Sequence, residues 1–276
     1  MFYGVNPHYV AVEWNLFYKY FARMRCTKEK PAEGIICGFY QESESVEKPI
    51  LGHLSMLLDM AISEDGRYVL TSDRDEKLRI SRYPQTFVIH QYCLSHSSYI
   101  NCVNVFKDVC FTSGGDGLIL AWNIDDGSLL CTESTFRNQP VRCTRIRPSS
   151  EDVVRIGCAL KDSSVVHVFE YSRSRNAFRN IKVVECTGVV YDMTFVSGRD
   201  CLLVLTRNGL WSASLSHELQ TTSVSGITKQ LYDAISQSRY EFVSMEKNVM
   251  FNNVEKYLEK KEDREKQRKR KREISA

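Results

Sequence analysis

Two stretches of this chain repeat one another at a spacing that restricts the fold more than any other feature. Residues 67–81 read RYVLTSDRDEKLRIS and residues 108–122 read DVCFTSGGDGLILAW, an offset of 41. Thr71 falls on Thr112, Ser72 on Ser113, Asp75 on Asp116 and Ser81 on Trp122. A histidine precedes each copy, His53 and His96, 43 residues apart. The runs LSMLLDMAIS, RYVLTSD, KLRIS and TFVIHQYC are separated by the polar joints EDGR, DRDE and RYPQ. Such runs are too short and too β-branched for a helical repeat, and they predict strands. Four short strands in a repeat of roughly forty residues predict one blade of a β-propeller.

Weaker copies follow. Residues 141–172 keep the strand–turn–strand rhythm, with Asp162 at the turn and Val168 where a tryptophan would stand; residues 189–215 keep it again. Upstream, EGIICGFYQ (33–41) reads as the later strands of an earlier blade. The expected fold is all-β, a WD40-type β-propeller of about four blades and a fragment. Closed propellers of this type carry about seven blades, and an open one leaves raw sheet edges. We therefore expect an N-terminally truncated or atypical seven-blade member. The expected organisation is an atypical N-terminal segment (1–33), the propeller (34–246), and a C-terminal amphipathic helix with a basic tail (247–276).

In such blades a histidine, a strand hydroxyl, a turn aspartate and a tryptophan form one chain of hydrogen bonds, each partly buried and each needing its partner. The repeat at 96–122 offers the full set: His96, Thr112, Asp116 and Trp122. The repeat before it offers His53, Thr71 and Asp75, with Ser81 in place of the tryptophan. A catalytic Ser/Thr–His–Asp triad uses the same residue types. Here, however, the hydroxyl falls within a strand and not on an exposed nucleophile elbow, so the set reads as structural.

The ten cysteines form no C-x-x-C pair and do not cluster with histidines, so buried, reduced thiols are expected and no metal site. No stretch of 18 apolar residues appears, and the N-terminus lacks the pattern of a secretory leader, so no membrane association is expected. The net charge of +3 is uneven: residues 256–272 hold ten Lys/Arg against four Asp/Glu. Met250, Val254, Tyr257 and Leu258 fall on one helical stripe. Beyond them, Arg268, Lys269, Arg270, Lys271 and Arg272 suit nuclear import or a nucleic-acid backbone. The only glycine-rich run, SGGDG (113–117), opens into a strand and not a helix, so it reads as a blade turn; no cofactor is expected.

The segment LGHLSMLLDMAISEDGRYVLTSDRDEKLRIS (51–81) is more particular than a generic repeat. With SGGDG…W and the C-terminal FNNVEKYLEKKEDREKQRKRKR, it resembles the WD-repeat non-catalytic subunit of the eukaryotic tRNA (guanine-N7-)-methyltransferase. The resemblance implies a nuclear scaffold without chemistry of its own. It would hold a separate catalytic chain, which uses S-adenosylmethionine to methylate a guanine in the tRNA variable loop. It would meet tRNA mainly through that complex. In the DRDEK turn, the expected contacts to the catalytic partner are Arg74 and Lys77, with Arg79 on the following strand. One departure stands out: relatives place a basic residue two before the tryptophan, where this chain has Leu120. The alternative reading is a general WD-repeat interaction platform in another nuclear complex, since fold alone does not fix function.

Overall fold

A computed structural model describes residues 55–215 throughout. On either side it describes only the strands at 9–15, 20–26, 34–40, 48–53 and 221–223, with side chains only at 51–53 among these. The chain divides into two compact units, Met1–Ser244 and Met245–Ala276. The second unit, with the expected helix and basic tail, lies outside the described residues.

The first unit contains five four-stranded antiparallel sheets, each built from consecutive strands. The first comprises β1 (Tyr9–Asn15), β2 (Tyr20–Cys26), β3 (Gly34–Tyr40) and β4 (Lys48–His53). The second comprises β5 (Leu57–Ile62), β6 (Tyr68–Asp73), β7 (Leu78–Arg82) and β8 (Ile89–Cys93). The third comprises β9 (Ile100–Phe106), β10 (Val109–Gly114), β11 (Ile119–Asn123) and β12 (Leu129–Glu133). The fourth comprises β13 (Val141–Pro148), β14 (Val153–Leu160), β15 (Val165–Ser172) and β16 (Ala177–Glu185). The fifth comprises β17 (Val190–Phe195), β18 (Cys201–Thr206), β19 (Gly209–Ser214) and β20 (Thr221–Ser223). The first sheet is thus whole and not a fragment: residues 9–26, assigned from sequence to an atypical segment, supply two of its strands.

The first strand of each sheet packs on the first strand of the next, from β1 through β5, β9 and β13 to β17. This is the radial arrangement of propeller blades. The second and third blades bury both faces against their neighbours, which is why the middle strands β6 and β10 are buried along their whole length. The core forms slabs between blades. Leu70, Ile80, Ile100 and Trp122 meet between the second and third, Phe111, Ile156, Phe169 and Tyr171 between the third and fourth, and Val168, Met193 and Val204 between the fourth and fifth.

A register shift recurs near the start of the inner strands β5, β9, β13 and β17. It brings Asp59, Cys102, Cys143 and Asp192 to equivalent positions, and the polar side chains around them link the blades. Val103 N–H donates to Asp59 Oδ2 (2.8 Å), Asn104 Nδ2 to Thr144 Oγ1 (3.0 Å), and Arg145 pairs with Asp192 (2.9 Å). Burial pushes the Asp59 carboxyl up to about 6, against the opposing pull of the Val103 and Met60 N–H groups and of Arg145. Burial likewise raises the Cys93 thiol to about 12 and that of Cys102 to about 11, and the described cysteines are unpaired.

Candidate protein-interaction site

The third blade holds a complete hydrogen-bonded chain. His96 Nδ1 lies 2.8 Å from Asp116 Oδ2, and its Nε2 lies 2.8 Å from Thr112 Oγ1. Trp122 Nε1–H donates to the same hydroxyl at 2.8 Å. The carboxylate can only accept, so it fixes the imidazole proton on Nδ1. In the neutral ring Nε2 then accepts from the threonine O–H, whose oxygen is left to take the indole N–H. Burial alone would raise the Asp116 carboxyl; the bonds from His96, Ser97 N–H and Leu118 N–H outweigh it and hold the group below its usual range.

The second blade solves the same problem differently. His53 Nε2 lies 2.8 Å from Thr71 Oγ1, but the carboxylate on Nδ1 is Asp73 (3.2 Å) and not Asp75. The two turns have equal length, since Ser72 faces Leu78 as Ser113 faces Ile119. Asp75 therefore does occupy the position of Asp116; the working group is simply two residues earlier. Its counterpart in the third blade is Gly114, where a Cβ would fall 1.8 Å from the Tyr99 carbonyl oxygen, so no side chain fits there. Asp73 also accepts from the N–H groups of Asp75 (2.9 Å) and Lys77 (3.2 Å), so one carboxylate ties the histidine to the whole turn.

The missing tryptophan is replaced from an unexpected position. Arg79 stands where the third blade has Leu120 and the fifth has Trp211. Its Nε donates to buried Ser81 Oγ (3.0 Å), and its terminal nitrogens to the carbonyls of Gly52 (3.2 Å) and Thr86 (3.1 Å). Arg79 thus fills the gap in its own blade. In the fourth blade Phe169, not Val168, takes the tryptophan position, opposite Ile156. In the fifth, Trp211 donates instead to Thr206 Oγ1 (3.1 Å).

What remains at the mouth of the second blade is a rigid, charged turn. Arg74 N–H donates to the Met56 carbonyl (2.9 Å), and Glu76 takes the left-handed conformation (φ 71°). Arg74 and Lys77 are both half-buried. The Arg74 Nε is buried and has no hydrogen-bond partner among the described residues. An orphaned buried donor of this kind costs about 1–3 kcal/mol. Arg268 to Arg272 lie outside the described residues. Among the described residues no group of His, Cys, Asp and Glu is arranged to hold a metal, and no helix is long and apolar enough to cross a membrane.

Sheets of four strands set radially, locked by His–Thr–Asp networks at the blade mouths, define a WD-repeat propeller. Solved structures agree on the fold: a chain of the mitotic checkpoint complex superposes with a TM-score of 0.62 at 12% identity, covering 78% of this chain and 63% of that one. A computationally designed protein, Ika8, superposes with a TM-score of 0.53 at 12% identity, covering 71% and 54%. More specifically, residues 39–229 match the tRNA methyltransferase TRM82 WD40 domain, and the chain belongs to that family.

Among named relatives, the tRNA (guanine-N(7)-)-methyltransferase non-catalytic subunit TRM82 of Candida glabrata is 43% identical over 89 residues, 30% of this chain and 21% of its own length. The non-catalytic subunit WDR4 of Bos taurus is 33% identical over 195 residues, 62% of this chain and 47% of its own. The subunit wuho of Drosophila ananassae is 26% identical over 244 residues, 81% of this chain and 58% of its own. The chain therefore spans from about a fifth to under three fifths of these relatives.

Proposed function

We propose that this chain is the non-catalytic scaffold subunit of a tRNA (guanine-N7-)-methyltransferase, holding and stabilising a catalytic chain that supplies the methyl-donor site. The observation that carries the proposal is the DRDEK turn. Asp73 locks it to His53 and to the Lys77 N–H, and the turn carries Arg74 and Lys77, both still half-exposed. Arginine offers a planar fork that suits a carboxylate, and lysine a point charge. A pre-set pair of this kind fixes register and speeds docking more than it adds area. Nuclear localisation, through the basic tail, belongs to the same reading.

Contact with tRNA is part of the proposal too, as a sequence-independent term. Residues 137–215 carry twelve Lys/Arg against seven Asp/Glu, and the tail adds a further basic run. The alternative of a general interaction platform draws on the fold alone. The test is charge reversal: Arg74→Glu with Lys77→Glu should weaken co-purification of the catalytic chain by about tenfold or more while leaving the propeller folded. Assembly at wild-type strength would overturn the interface.

A further inference from the structure

The fifth blade has one face sealed and one face open. Among the described strands its sheet packs closely only on β13 and β14 of the fourth. Leu202, Val204 and Ala213 enter the core slab shared with that blade. Side chains alternate along a strand, so Leu203, Leu205 and Leu210 point the other way, forward from the series. Leu205 faces Leu210 across the ladder and Leu203 stands two residues along, so the three form one patch. Equivalent forward positions in earlier blades are core. Leu203 holds the place of Leu70 and Phe111, which are 0% and 1% exposed. Leu210 holds that of Leu78, Ile119 and Val166, at 0%, 1% and 0%. In the fifth blade all three leucines are only half-buried. A contiguous apolar patch of this kind marks a docking surface.

The chain itself supplies an occupant. β20 is the outer strand of this same sheet, so the segment after Ser223 leaves from the blade that carries the patch. Residues 224–244 belong to the propeller's compact unit and not to the unit that starts at Met245. Their sequence is SGITKQLYDAISQSRYEFVSM. Ile227, Leu231, Ala234 and Ile235 recur at i, i+4, i+7 and i+8, one apolar helical stripe, with Lys229, Asp233 and Ser236 on the opposite side. Ser225 stands before the run, where a helix takes its N-cap. A helix of about twelve residues is about 18 Å long, enough to cross four strands that span about 14 Å.

We propose that residues 226–237 form an amphipathic helix that docks on the forward face of the fifth blade. Ile227, Leu231 and Ile235 cover Leu203, Leu205 and Leu210, and the core is closed there without a further sheet. The docking is independent of the methyltransferase reading and of the Arg74 turn. The test uses the full chain with photo-reactive p-benzoylphenylalanine at position 231 or, as the control, at position 233 on the opposite side of the helix. After irradiation and trypsin, mass spectrometry should find residues 230–239 joined to residues 200–207 of the same chain. The yield from position 231 should be about tenfold that from 233. Leu231→Asp with Ile235→Asp should lower the folded-to-unfolded ratio in urea about tenfold or more and raise the fluorescence of an apolar-surface dye. Asp233→Lys should change neither. If the double variant does not fold, the cross-link decides alone. Equal yields from 231 and 233, no link to residues 200–207, or wild-type stability of the double variant would overturn the proposal. So would links that join two copies of the chain, since the occupant would then be a second copy.

Discussion

Substituting valine for Thr112 removes one oxygen atom from the third blade and leaves its shape nearly unchanged. That oxygen serves two buried partners, the Trp122 indole N–H and His96 Nε2, each at 2.8 Å. The His96 side chain is 0% exposed and that of Asp116 4%, so water cannot take over. Two orphaned groups at about 1–3 kcal/mol each give an expected loss of about 2–6 kcal/mol. Thr71→Val is the internal control. Its hydroxyl faces His53 Nε2 at 2.8 Å, but no indole stands behind it and its other contact, to the Arg79 carbonyl, is long at 3.3 Å. One orphan predicts about 1–3 kcal/mol, half the loss expected at Thr112. Urea denaturation followed by far-UV circular dichroism, with the wild type alongside, measures both losses. The reasoning fails if Thr71→Val costs as much as Thr112→Val, or if Thr112→Val costs less than about 1 kcal/mol.

Two further outcomes follow from single carboxylates. Asp73→Asn should cost about 1–3 kcal/mol, because it weakens the hold on His53 and the turn, whereas Asp75→Asn should cost less than about 1; paired denaturation curves distinguish them. Asp59 has a carboxyl raised in the folded chain to about 6. The unfolded chain therefore ionises first as pH rises, so this group's contribution is greatest below about pH 4 and is lost by about pH 6. Relative to Asp59→Asn, the wild type should lose on the order of 2 kcal/mol across that window, allowing for the part of the residue that stays accessible, and the difference should be flat above pH 7. A wild-type stability that rises relative to Asp59→Asn between pH 4 and 6 would contradict the assignment.

The strand and blade pattern was legible because it rests on local alternation and turn residues, which the repeat of Thr71 and Thr112 makes visible. The third-blade network could be read residue by residue, since His96, Thr112, Asp116 and Trp122 all stand in their usual places. The second blade could not. Nothing local says that the Tyr99 backbone denies a side chain to position 114 while position 73 has room for one. The role of Arg79 was hidden for a related reason: it answers the absence of a tryptophan at Ser81, a vacancy defined by cross-strand pairing. The links at Asp59, Arg145 and Asp192 depend on a register shift in the inner strands and on contacts between blades, and sequence spacing encodes neither. The excess of Lys/Arg in residues 137–215 was present in the sequence, but only the sheet boundaries give it a place.

The central claim is that this propeller holds another protein that performs the chemistry. The direct measurement is reconstitution: the catalytic chain is purified alone and together with this chain, and 7-methylguanosine in tRNA is quantified by nucleoside mass spectrometry. The account predicts a stable heterodimer, methylation at least about tenfold above that of the catalytic chain alone, and none from this chain by itself. Two folded chains that fail to associate, or methyl transfer by this chain in isolation, would contradict it.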